Sequence, residues 1–205
     1  MQYLTLRESF KDFTVFSLHD IRKIDAGFHR RRLNEWQDKG YIKKIIRGYY
    51  IFSDLEVDEN ALFEISNRIY SPSYISFETA LSYHHLIPES VYGISAASTR
   101  RTYTFKTPIA GFSYRTIKPN LFFGYDLASH GNKHMKIATM EKAILDYFYL
   151  NPGIKRAPDF ASLRINRDLF LEKTQEETLY EFTDRFAKKT LAERVQSFLR
   201  FLKNA

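Results

Sequence analysis

Apolar positions in the first 56 residues follow two rhythms. Leu6, Phe10 and Phe13 recur at helical spacing, which predicts a first helix. Thr14-Val15-Phe16 is short and β-branched, the pattern of a single strand. Ser17 opens Ser-Leu-His-Asp, which approximates a capping box, and Phe16 and Ile21 stand where a hydrophobic staple falls, so a second helix is expected over 18–24. Asp25-Ala26-Gly27 reads as a tight turn. A third helix then runs to Lys39, with Leu33 and Trp36 on one face and Gly40 just past its end. YIKKII and YYIF flank Arg47-Gly48, the signature of a hairpin, although the alternation in YIKKII is imperfect.

The remaining residues have another texture. YISFETALSYHHLIPE predicts an extended run and a helix from Phe77 to His85, stopped before Pro88. VYGISAAS, RTYTFK, GFSYRTI and NLFFGYD read as four short strands. Thr139 can cap a helix with Glu141 in its first turn and Ala143, Ile144, Tyr147 and Phe148 as its apolar face. Leu179, Phe182 and Phe186 mark one C-terminal helical run. Leu191, Val195, Phe198, Leu199 and Leu202 mark another. The expected fold is α+β: an N-terminal winged helix-turn-helix over 1–56, then a mixed α+β domain over 57–205 with a small sheet and C-terminal helices.

Charge sharpens the division. The chain has 205 residues, 44% of them hydrophobic, with 18 Phe and 14 Tyr, enough to bury a core. Formal net charge is +7. Residues 22–50 hold nine Lys/Arg against three acids, 57–98 one against five, and 99–136 seven against one. Two basic zones therefore flank an acidic one, and the sign changes near residue 57, within the polar, linker-like stretch SDLEVDEN at 53–60. The absence of cysteine excludes disulfides, thiolate metal sites and a Cys nucleophile, and a cytoplasmic location is expected. MQYLTLRESFKDF lacks the apolar core of a signal peptide, and no run has the length of a membrane span.

Three helices and a hairpin, with GFHRRRLNEW opening the third helix, suggest a DNA reader. The second helix of such a pair reads bases from its N-terminal half, where Phe28, Arg30, Arg31 and Arg32 fall, and Lys43, Lys44 and Arg47 stand where a wing meets phosphates. His29 lies near the Leu33/Trp36 face and reads as a packing residue. The solvated-face reading of the arginines competes with this one on charge alone; the basic hairpin and the helix-ending glycine tip the balance. Arg100, Arg101, Lys106, Arg115 and Lys118 form a second candidate surface, suited to an acidic protein, RNA or the same DNA.

Catalysis would need groups the spacing does not supply. Glu141 and Asp146 are five apart and point to different sides of a helix, so Asp146 reads as a surface or structural carboxylate. His84 and His85 are adjacent, and His130 and His134 sit in an apparent loop without a third ligand. There is no P-loop, dinucleotide fingerprint or nucleophile elbow. No catalytic residue, metal or cofactor is expected.

The order of KGYIKKIIRGYYIF, YISFETALSYHHLIPE, KIATMEKAILDYFYL and RFAKKTLAERVQSFLRFL resembles the AbiEi-type antitoxins of bacterial type IV toxin–antitoxin systems. The most specific pieces are Gly40, Ile42, Arg47, Gly48 and Tyr50 in the hairpin and Glu141, Lys142, Ala143 and Asp146 in the helix. The resemblance implies an autorepressor that binds duplex DNA at its own promoter, on repeated sites. It also implies a C-terminal domain that counters a nucleotidyltransferase-like toxin in phage abortive infection. Two alternatives stay open: a winged-helix regulator or RNA- or protein-interaction module unrelated to a toxin, and a nucleotide- or metal-dependent enzyme.

Overall fold

The computed structural model describes residues 1–88, 93–131 and 133–204, with the backbone alone at 130 and 133. Its first part contains α1 (Tyr3–Ser9), β1 (Phe16–Ser17), α2 (Leu18–Ile24), α3 (Arg31–Asp38), β2 (Ile42–Ile46) and β3 (Tyr49–Phe52). The strands form an antiparallel sheet in the order β1-β3-β2. Leu6, Phe10, Phe16, Ile21, Phe28, Leu33, Trp36, Ile42, Tyr50 and Phe52 close one core. The first helix is shorter than its apolar spacing predicts. It ends at Ser9, and Phe13 lies beyond it, partly exposed and packed on Phe10 at 4.8 Å between ring centres.

The second part continues with α4 (Glu59–Ile69), β4 (Ser73–Ile75), α5 (Phe77–Tyr83), β5 (Ile94–Ser98), β6 (Tyr103–Lys106), β7 (Gly111–Thr116), a 3-10 turn at Pro119–Leu121, β8 (Tyr125–His130) and β9 (Lys133–Ala138). Five helices follow: α6 (Met140–Leu150), α7 (Ala157–Ser162), α8 (Arg167–Lys173), α9 (Glu176–Arg185) and α10 (Lys189–Asn204). The fold is α+β. Six strands form a mixed sheet in the order β6-β7-β5-β4-β9-β8. Side chains alternate across its faces. Tyr114 meets Ser66 of α4 on one face, whereas Ser95 meets Thr79 of α5 and Tyr74 meets Asp146 of α6 on the other. The sheet is thus sandwiched, with α4 on one side and α5 and α6 on the other.

Several expectations are corrected. Helix α4 begins at Glu59, behind the N-cap Asp58, which accepts from the Ala61 N–H at 2.7 Å, inside the stretch read as polar and linker-like. NLFFGYD is not one strand: Asn120 and Leu121 end the 3-10 turn, and only Tyr125 and Asp126 are strand, the start of β8. The segment around His130 and His134, read as a loop, is the β8–β9 hairpin. Helix α5 stops at Tyr83 because His85 turns left-handed at φ 57° and the Leu86 N–H returns to the Leu81 carbonyl at 2.8 Å. Parts of the VYGISAAS reading lie outside the described residues.

The charge boundary near 57 falls between β3 and α4, but packing crosses it. Val15, Ile45 and Ile51 belong to the larger core, and Thr14 donates to Glu64 of α4. Arg68 of α4 pairs with Asp20 at 3.0 Å and lies 5.2 Å from the centre of the Phe13 ring. Burial works against ionisation of Asp20, but hydrogen bonds from Ser17 and Arg68 outweigh it and hold the carboxyl below its usual range. A depressed folded value means that this stability is complete above the ordinary carboxylate pKa of about 3.9 and is lost as pH falls through the lower folded value. Arg68→Ala is therefore expected to cost about 0.5–1 kcal/mol at neutral pH, the scale of a partly screened pair. The cost should shrink at an acid pH below that lowered folded value. Urea unfolding at both pH values checks this, and equal costs would show that Asp20 is not the relevant partner.

Candidate nucleic-acid interface

The basic surface of the first part is held by a sequence of local devices. Ser17 and Asp20 form the capping box: the Asp20 N–H donates to Ser17 Oγ at 3.2 Å and the Ser17 N–H to Asp20 Oδ2 at 2.9 Å. Leu33 and Trp36 anchor α3 in the core, with Trp36 packed on Phe28 at 5.4 Å. Gly40, at φ 71°, ends the helix in a Schellman arrangement: its N–H donates to Gln37 at 2.9 Å and that of Tyr41 to Trp36 at 2.9 Å. Strand β2 follows at once and packs on α3. Arg47 and Gly48 make the two-residue turn, with Ile46 paired to Tyr49.

A bulge between Lys44 and Ile46 explains the imperfect alternation of YIKKII. It turns Ile45 into the larger core while Ile42 joins the core of the first part, and leaves the Lys43 and Lys44 side chains in solvent. Both faces of β3 are covered, so Tyr50, Ile51 and Phe52 are all buried.

The structure sorts the predicted DNA contacts. Arg30, Arg31, Lys43, Lys44 and Arg47 are exposed. Arg30 is the N-cap residue and Arg31 the first helical residue, so the helix begins later than 28. Arg31 is 88% exposed and 3.5 Å from Glu35. Arg30, Lys43, Lys44 and Arg47 have no carboxylate partner among the described residues. Phe28 is a correction: it is only 3% exposed and belongs to the core, because the turn before α3 tucks it under Trp36. Arg32 is exposed as well, and it donates to the Met1 carbonyl beside the Met1 ammonium, which pairs with Asp25 at 2.8 Å. It ties the chain's start to α3. His29 is exposed and does not pack.

The second basic zone does not form one surface. Arg100, Arg101 and Lys118 lie at the ends of β5 and β7 where Thr116 bonds Arg100 and Thr102. Lys106 is at the opposite end of β6, beside Gly111. Arg115 is paired with Glu78 at 2.9 Å and lies over the Phe77 ring at 4.7 Å. Arg100 covers the Tyr70 ring at 4.3 Å.

Sequence reasoning missed the most tightly held polar cluster. Lys142 and Asp146 of α6 are fully buried and ion-paired. Tyr74 donates to Asp146 Oδ2 at 2.8 Å, as does Ser76 at 2.8 Å, and Lys142 Nζ donates to Tyr74 at 2.7 Å. Asp146 is therefore no surface carboxylate. Burial pushes the Lys142 ammonium down, against the pull of Asp146, and pushes the Tyr74 hydroxyl well up. The rings of Phe123 and Phe186 lie 5.0 Å from Nζ, and a Cβ at Gly124 would stand 3.0 Å from the lysine's Cγ. These groups close the cluster off from solvent. Its signal was the i, i+4 Lys-Asp spacing, which reads equally as a surface pair. Glu141 accepts from the Gln175 N–H at 3.0 Å and joins α6 to α9.

His84 donates to the Ala138 carbonyl at 2.7 Å, and His134 meets Ser129 at 2.9 Å. The side chain of His130 lies outside the described residues. Among the described residues no group of three His, Asp or Glu could hold a metal, and no helix is long and apolar enough to cross a membrane. No protein-family model matches the chain, and no curated protein matches it.

Proposed function

We propose that the chain is a DNA-binding transcriptional regulator whose first part acts as a winged helix-turn-helix, with α3 in the major groove and the β2–β3 hairpin on the backbone. One observation carries this reading. Five cations, on α3 and the hairpin, point to solvent from a body whose core is closed beneath them, and among the described residues only Arg31 of the five has a carboxylate beside it. An exposed pair of that kind contributes little, so Arg31 exchanges Glu35 for a guanine edge at small cost. Arg31→Ala is expected to lower the preference for the chain's own promoter over random duplex by about 1–3 kcal/mol. Competition binding of the full chain measures the ratio, and an unchanged ratio would reassign Arg31 to the backbone or to solvent.

We extend the proposal, on the motif resemblance alone, to an autorepressing antitoxin of the cytoplasm whose second part opposes a nucleotidyltransferase-like toxin. The Glu-Lys-Ala-x-x-Asp helix builds the interior, so it supports this surface without forming it. Arg100, Arg101 and Lys118 are the better toxin-facing group, because they share one end of the sheet.

A further inference from the structure

A cavity of about 540 Å³ lies between the turn after α6 and the outer face of α10, lined by Lys155, Arg156, Thr190, Glu193, Arg194 and Ser197. A second, of about 310 Å³, shares Lys155 and Ser197 and continues to Arg200 and Phe201. Together they follow α10 from Thr190 to Asn204, about 21 Å at the rise of an α-helix. Arg194 builds the floor. It donates to the carbonyls of Phe148 at 2.9 Å, Asn151 at 3.1 Å and Ile154 at 3.3 Å, and so fixes the opposite wall against α10. Lys155, Arg156 and Arg200 are left facing solvent. Arg156 is 77% exposed, and its nearest paired carboxylate, Asp159, is 3.9 Å away.

We propose that this groove binds single-stranded RNA. Planar guanidiniums at Arg156 and Arg200 match phosphate oxygens, with Lys155 as a third cation between them. Phe201, half-buried beside Arg200 and 5.9 Å from Phe160, offers an apolar wall on which a base can stack. A duplex is convex and cannot enter a cleft between a helix and a turn; a strand with splayed bases can. Glu193 decides between polyanions. An acceptor-only carboxylate within a basic groove repels an acidic peptide, but it takes a hydrogen bond from a ribose 2′-hydroxyl, the group that separates RNA from DNA. The inference does not depend on duplex binding by the first part.

The test is fluorescence anisotropy of the full chain with a short labelled oligouridine and an oligothymidine of equal length. Oligouridine should bind more tightly, with a log–log salt slope of about −2 for three phosphate contacts. Arg156→Gln with Arg200→Gln should weaken it by about tenfold or more. Glu193→Gln should narrow the gap between RNA and DNA. These side chains are exposed, and an unshifted thermal midpoint confirms that the variants fold. The triple change Lys43→Ala, Lys44→Ala, Arg47→Ala should leave oligouridine affinity unchanged. The proposal is overturned if oligouridine does not bind, if the double glutamine variant binds equally, or if the hairpin variant no longer takes up the RNA. Displacement by polyglutamate, or no effect of Glu193→Gln on the RNA/DNA ratio, would overturn the assignment to RNA.

Discussion

Asp146→Ala is expected to destabilise the protein by about 3–5 kcal/mol, because it strands the Lys142 ammonium in a closed interior. Lys142 has no solvent exposure, and Asp146 is the carboxylate paired with it. The same aspartate holds Tyr74 and Ser76, so two hydroxyls lose their acceptor as the ammonium loses its counter-charge. Ser76 precedes Phe77, a buried non-glycine residue at φ 56°, a conformation that persists only where its surroundings hold it. Loosening Ser76 should release that turn and with it the start of α5. Lys142→Met is expected to cost a similar amount, since it leaves the carboxylate uncompensated. Combining Lys142→Met with Asp146→Leu should cost clearly less than the two single changes added together, as an apolar pair removes both charges at once. Urea unfolding of the four proteins checks the cycle. Single-mutant losses below about 1 kcal/mol, or strict additivity, would show that water enters the site and that the pair is only a surface bond drawn inward.

That cluster marks where sequence reading stops. The capping box at Ser17 and Asp20, the glycine at Gly40 and the turn at Arg47-Gly48 are local devices, and their residues specify them over a few positions. Helix α4 was hidden because its charges, Asp58 and Glu59 ahead of Ala61, looked like the end of a linker when they are its cap and first turn. Strands β8 and β9 were hidden because β8 is a sheet edge, with Leu127 in solvent at 72% exposure, so no clean alternation marks it. In α6 both the apolar face and the Lys142–Asp146 side are buried, and periodicity sees only the first. Phe28 shows the same limit in the candidate interface. Its place among the arginines suggested contact, whereas the turn geometry before α3, which fixes its direction, depends on Trp36 across the core.

Changing Lys43, Lys44 and Arg47 to Ala together is expected to weaken duplex binding on the order of a hundredfold and to reduce the salt slope by about 2.7, near 0.9 for each phosphate no longer held. The three side chains are solvated and carry no hydrogen bond among the described residues, so stability should change little. Ile42 and Ile45 keep the hairpin seated on both cores without them. Backbone contacts carry no sequence information, so promoter and random duplex should lose affinity by the same factor. This separates the hairpin from Arg31, whose removal should change the ratio. The experiment requires the full chain, because a fragment ending at 56 would expose Val15, Ile45 and Ile51 and remove the partners of Thr14 and Asp20. Titrations of wild type and variant across a range of salt concentrations give two lines of log affinity against log salt. Converging lines of different slope are the expected result. Parallel lines would mean that the lysines and Arg47 do not touch phosphate, and that the hairpin is a solvated edge.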